Sequence, residues 1–227
     1  MDGDVTGTTS SGAAELDRQV DRLVEVGHPA LAGLTEDAFR ERLAPLHAVV
    51  PDDPADPPDP ADPADPPPDQ AMGFLLVVTA ALVPTVAAVE TWRVRGKAGW
   101  TDMADELAGF RPVPEVAVGL PDATAYLLLD VRTGRDTLGV RPSEAQPGIL
   151  AAGRTPLTID EGVALVTQRP DVFTTHHAFQ ALGSRADNAR VPSFWVSKGA
   201  PRLGWCWWNN PHSWLGAASA AGRRGPA

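Results

Sequence analysis

The sequence predicts an α+β fold, with an N-terminal helix pair docked on a mixed body that carries a C-terminal Trp-rich β-hairpin. Three observations point there. Leu16, Val20, Leu23 and Val24 recur at the spacing of one helix face. Phe74–Val78 and Ala125–Val131 are short apolar runs of strand length. Val191–Ser197 and Leu203–Trp208 read as strands around Lys198-Gly199-Ala200-Pro201-Arg202, a hairpin with a five-residue loop. Strands and helices do not alternate regularly enough for a doubly wound sheet.

Taken in order, residues 1–13 are polar and rich in Gly, Ser and Thr, and are expected to be disordered. They lack the basic start and apolar run of a signal peptide. Residues 14–50 hold the helix pair. The first helix, Ala14–Val26, stops at Gly27, and Thr35 caps a second helix whose inner face is Phe39, Leu43 and Leu46. Residues 51–70 are expected to be a disordered Pro-Asp linker. Within them, 51–69 comprise nine Pro, seven Asp and three Ala, with no apolar side chain large enough to offset ordering. The main α+β domain spans 71–222. In it Thr158 and Glu161 have the spacing of a capping box, opening a helix that stops before Pro170. Asp171–Leu182 is expected to be a further helix closed by Gly183, and 223–227 a disordered tail.

The formal charge is −10, which argues against bulk attraction to nucleic acid or anionic lipid. Its distribution is uneven. Residues 183–227 carry Arg185, Arg190, Lys198, Arg202, Arg223 and Arg224 against Asp187 alone. A helix pair before a hairpin is the order of a winged helix, but Arg154–Arg190 balances four basic against four acidic residues. Duplex DNA is therefore not an expected partner. Met72–Val89 is free of charge, yet Pro84 interrupts it and Phe74–Val78 is strand-like, so no membrane span is expected. The single Cys206 requires no oxidising compartment, and the expected location is cytoplasmic.

Five of the seven Trp lie between Trp195 and Trp214. Strand alternation puts Leu203, Trp205 and Trp207 on one face, and Gly204, Cys206 and Trp208 on the other. Core packing explains such a cluster, as indoles bury large areas. The polar Asn209, Asn210, His212 and Ser213 that follow supply the convergent groups of a ligand site. Cys206 and His212 form the one thiol–imidazole candidate on a short segment, the basis of an enzyme alternative. His176-His177 are adjacent and point about 100° apart on a helix, which does not suit one metal ion. Gly96-Lys97 lacks the flanking residues of a phosphate loop.

Arg154-Thr155-Pro156-Leu157-Thr158-Ile159-Asp160-Glu161-Gly162 and Gly204-Trp205-Cys206-Trp207-Trp208-Asn209-Asn210-Pro211-His212-Ser213-Trp214-Leu215-Gly216 resemble the two signatures of an actinobacterial family of uncharacterised proteins, a domain of unknown function. Tyr126–Val131 and Arg190-Val191-Pro192 fit the same pattern, and the resemblance covers most of 14–222. Trp208 and Asn209 stand where a smaller residue and Gly are usual, and Ala186 and Ala220 where Cys is common. The resemblance implies one integrated domain and carries no catalytic residue, metal or cofactor with it.

The leading expectation is a module that binds a small molecule or a protein. Its site would comprise Arg185, Arg190, Trp205, Trp207, Trp208, Asn209, Asn210, His212 and Trp214. The alternatives are an enzyme using Cys206 and His212, and a binder of nucleotides or single-stranded nucleic acid through the basic, Trp-rich hairpin. The sequence specifies no cofactor.

Overall fold

The computed structural model describes residues 11–52, 72–173 and 178–226. Residues 1–10 of the expected disordered start, 53–70 of the expected linker and the His176-His177 pair lie outside these.

The N-terminal helix begins at Ser11, so 11–13 belong to it. This first helix, α1 (Ser11–Glu25), buries Leu16, Val20 and Leu23. The second, α2 (Glu36–Leu43), is capped by the Thr35 side chain, which accepts from Ala38 N at 3.2 Å, and buries Phe39 and Leu43. These side chains join the same core as the body.

The segment Met72–Val89, charge-free in sequence, divides into a buried strand, β1 (Met72–Val78), a turn, and the start of α3 (Thr85–Thr91). Among the described residues no helix is long and apolar enough to cross a membrane. A further short strand is β2 (Trp100–Thr101). The apolar run expected as a strand is β3 (Ala125–Val131), antiparallel to β1 with Leu75 opposite Leu128. Then follow α4 (Pro142–Ala151), β4 (Thr155–Pro156) and α5 (Ile159–Gln168).

The helix expected at 171–182 does not form as such. Pro170–Val172 is a single 3-10 turn, and Ala178–Gln180 is a strand, β5. Pairing explains the difference: Phe179 lies opposite Phe194, and the two rings stack at 4.7 Å. Gly183 is not a helix stop but a close crossing. A Cβ there would lie 2.6 Å from the carbonyl oxygens of Pro156 and Leu157.

The hairpin strands are β6 (Arg190–Ser197) and β7 (Ala200–Trp207). Their turn has two residues, not five. Lys198 and Gly199 both take positive φ, 54° and 78°, as a tight primed turn requires, and pairing resumes at Ser197 opposite Ala200. After β8 (Leu215–Ala217) and β9 (Ser219–Ala220), residues 222–224 form β10 (Gly222–Arg224), where the sequence suggests a disordered tail. It pairs with β3. The reason is electrostatic: the Arg223 side chain is buried against Glu161.

Two sheets result. One has the order β1-β3-β10, the other β8-β5-β6-β7-β2. The edge of β1 is not left open. The buried Gln19 amide of α1 accepts from Leu76 N at 2.6 Å and donates to Phe74 O at 3.2 Å, in place of a neighbouring strand. Helix α5 packs along β1 and, through Gly162, against Phe194 of the second sheet. A Cβ at 162 would lie 2.4 Å from the Phe194 ring, so only glycine allows this approach. Every residue of α5 from Glu161 to Gln168 is buried, as expected of a helix covered on all sides.

His28 is buried, and neither ring nitrogen has a hydrogen-bond partner among the described residues. Burial pushes its pKa down to about 4. Unfolded, the imidazole takes a proton near pH 6.5. Between these values the unfolded state binds more protons, so stability falls as pH falls through that window. Urea titrations at pH 7.5 and 4.0 should show His28→Asn losing less stability than the native protein on acidification, by about 3 kcal/mol.

Candidate functional site

The head of α5 is built by the segment 154–162. Thr158 Oγ1 accepts from Glu161 N at 3.4 Å, and Glu161 Oε2 accepts from Thr158 N at 2.6 Å, completing the capping box. The same carboxylate accepts from Tyr126 Oη at 2.9 Å and from two Arg223 nitrogens, Nε at 2.5 Å and NH2 at 2.9 Å. Arg223 also donates to Thr155 Oγ1 at 2.8 Å and to Pro156 O. Burial alone would lower the arginine pKa, but its bonds to Glu161 outweigh this and raise it. The Tyr126 hydroxyl is pushed up, first by burial and then by the Glu161 carboxylate. Arg154 donates to the side chain and carbonyl of Asp130, at 2.5 and 2.6 Å, and to Ser219 Oγ at 2.9 Å. It thus holds Asp130 in a positive-φ conformation within β3.

Beside this network is a pocket of about 300 Å³. Its walls include Leu107, Phe110, Leu120, Pro121 and Ile159, with Thr79, Tyr126 and Ser184 adding hydroxyls. Among the described residues its one acidic lining residue is Asp160, and no Lys or Arg lines it. Asp160 Oδ2 accepts from Ala80 N at 3.2 Å, and burial raises the carboxyl pKa. This is the site that reading the sequence missed. Asp160 reads there as an ordinary acidic residue in the first turn of a helix, and nothing local reports that a loop 80 residues away closes over it.

One wall of the pocket comes from the segment 102–112. Met103 and Phe110 anchor it in the core. Arg202 grips Asp102 at 2.6 Å, Arg190 pairs with Glu106, and Arg111–Pro112 bridges to Ser184–Arg185. Two of the cations in the basic tail region therefore hold acidic residues of this segment.

The residues expected to form a site on the hairpin are dispersed among packing roles. Arg185 lies over Trp208 at 3.9 Å, Arg190 over Trp205 at 4.7 Å, and Arg202 over both Trp100 and Trp195. Trp205 meets Trp207 edge to face at 4.9 Å, and Trp195 meets Trp214 at 6.1 Å. Trp195 also lies across Gly204, where a Cβ would come within 2.3 Å of its ring. Of these indoles Trp207 is the exposed one, at 49%. In the following turn Asn209 and Asn210 are exposed, and the Asn210 amide donates to His212 Nε2 at 3.3 Å. Partial burial lowers the His212 pKa.

Cys206 is buried in a small second core with Leu182, Val191 and Leu215. Burial pushes its thiol up, against smaller effects of hydrogen bonds with Ser193 and Gln180 and of Arg202. His212 instead contacts Asn210 and Trp214. Among the described residues, no group of three or more His, Cys, Asp or Glu is placed to hold a metal ion.

Together these features define an α+β protein with two main sheets, a buried central helix and a small apolar pocket at that helix's head. The chain belongs to a family of unknown function, DUF5701, whose model matches residues 22–226. Comparison with curated proteins and with solved structures gives no match.

The environment of Cys206 sets an expectation for its reactivity. Native protein at pH 7.5 should react with iodoacetamide at least ~100-fold more slowly than urea-unfolded protein, since a buried thiol with a raised pKa supplies little thiolate. Mass spectrometry of timed aliquots measures this; equal rates would show an accessible, activated thiol.

Proposed function

We propose that the protein is a cytoplasmic small-molecule-binding domain whose site is the pocket at the head of α5. One observation carries the reading. A ligand-sized, mainly apolar pocket holds a carboxylate whose Oδ1 has no hydrogen-bond partner among the described residues. Apolar walls around a few polar groups are the usual make-up of such sites, and a carboxyl with a pKa shifted by burial in a cleft marks a functional candidate. The free, buried Cys206 suits a reducing compartment.

A second reading, a protein-binding surface on the hairpin, is favoured by Trp207 alone. It is the one exposed indole on a face where Trp205 is already covered by Arg190. Asn209, Asn210 and His212 would form its polar rim, beside Trp208 and Arg185.

Fragment screening by ¹H–¹⁵N NMR separates the two. Small apolar fragments should shift the amides of Thr79, Ala80, Tyr126, Asp160 and Ser184. Ala108→Trp, which fills the pocket from its exposed rim, should abolish those shifts while leaving the melting temperature within a few degrees, as surface substitutions usually do. Shifts confined to Trp207 and its neighbours would favour the hairpin instead.

A further inference from the structure

Resting on the small-molecule reading of that pocket, we propose that its ligand is a compact apolar molecule bearing a protonated amine, and that Asp160 is the counter-ion that recognises it. The charge distribution points this way. Asp160 is the acidic lining residue of a pocket that no Lys or Arg lines. Three arginines of the surrounding network are committed elsewhere: Arg223 to Glu161, Arg190 to Glu106, and Arg185 to the face of Trp208. Among the described residues no ion pair joins this carboxylate to a cation. Asp160 is half-buried against apolar walls, where water solvates a carboxylate less well than in the open. An ammonium offsets that loss and makes the stronger, charge-assisted hydrogen bond.

An anionic ligand is disfavoured, although a helix begins here. The protein's own hydroxyls take up two of the N–H groups at the helix head. Ile159 N donates to Ser184 Oγ at 3.0 Å and Glu161 N to Thr158 Oγ1. Asp160 itself puts a carboxylate in the first turn of the helix, which repels a second anion there. Two of the other lining hydroxyls already donate within the protein. Tyr126 Oη donates to Glu161, and Thr79 Oγ1 donates to Thr124 O at 3.2 Å. Leu107, Phe110 and Ile159 leave room for a hydrocarbon or aromatic body.

The test uses the full chain and matched probes in NMR titrations at pH 7.5: 2-phenylethylamine with 2-phenylethanol, cyclohexylamine with cyclohexanol, and phenylacetate as the anion. Each amine should bind at least about tenfold tighter than its alcohol, the ratio expected of a hydrogen bond to a charged group, and phenylacetate should not bind. Asp160→Asn keeps the acceptor for Ala80 N and should bring amine and alcohol within about threefold of each other, with an unchanged melting curve. Alcohols that bind as well as amines at the pocket amides, or amines unaffected by Asp160→Asn, would overturn the amine assignment and leave the pocket reading standing. If no probe perturbs the pocket amides, both fail.

Discussion

Glu161 is fully buried, and a carboxylate taken out of water is tolerated only where donors replace its hydration. Three parts of the chain supply them. Thr158 donates from the helix cap, Tyr126 from the middle strand of the first sheet, and Arg223 from the last strand. The capping box is thus more than a helix stop. Its glutamate joins α5 to β3 and β10, and the arginine draws the C-terminal residues into the sheet. Arg223 in turn bonds to Thr155 and Pro156, so the strand before the helix is held by the same guanidinium. Few alternative packings can satisfy all of these donors and acceptors at once, which favours a single geometry for the helix head.

The pocket depends on that geometry. Asp160 and Ile159 are positioned by the turn that Glu161 closes, and Tyr126 is shared between the ion pair and the pocket wall. The opposite wall belongs to the segment 102–112, whose acidic residues are held by arginines of the hairpin. Those arginines lie flat on indoles, which fixes their direction at a modest gain each. The Trp-rich hairpin accordingly acts as a frame for the pocket, with Trp207 as its exposed remainder.

What the sequence reveals is local. The Thr158–Glu161 spacing, the apolar run of β3, the Thr35 cap and the amphipathic face of α1 each lie within a few residues, and each corresponds to an element of the fold. What it conceals depends on long-range partners. Gln19 looks like a surface residue of α1 until its amide meets Phe74 and Leu76, and Arg223 looks like a charged tail until it meets Glu161, 62 residues away. The stretch 178–180 shows no strand signal strong enough to outweigh its helical look, because its conformation is set by pairing with β6 and β8. The candidate site follows the same rule. Trp clustering is visible in one dimension, whereas the pocket gathers residues from 79 to 184.

The dependence of the fold on the Glu161–Arg223 pair is tested most directly by the unfolding free energy of Arg223→Met in urea at pH 7.5. Removing one partner leaves a buried carboxylate uncompensated, so the loss should be about 3–5 kcal/mol. A loss below about 1 kcal/mol, the size expected for a surface position near a chain end, would contradict it.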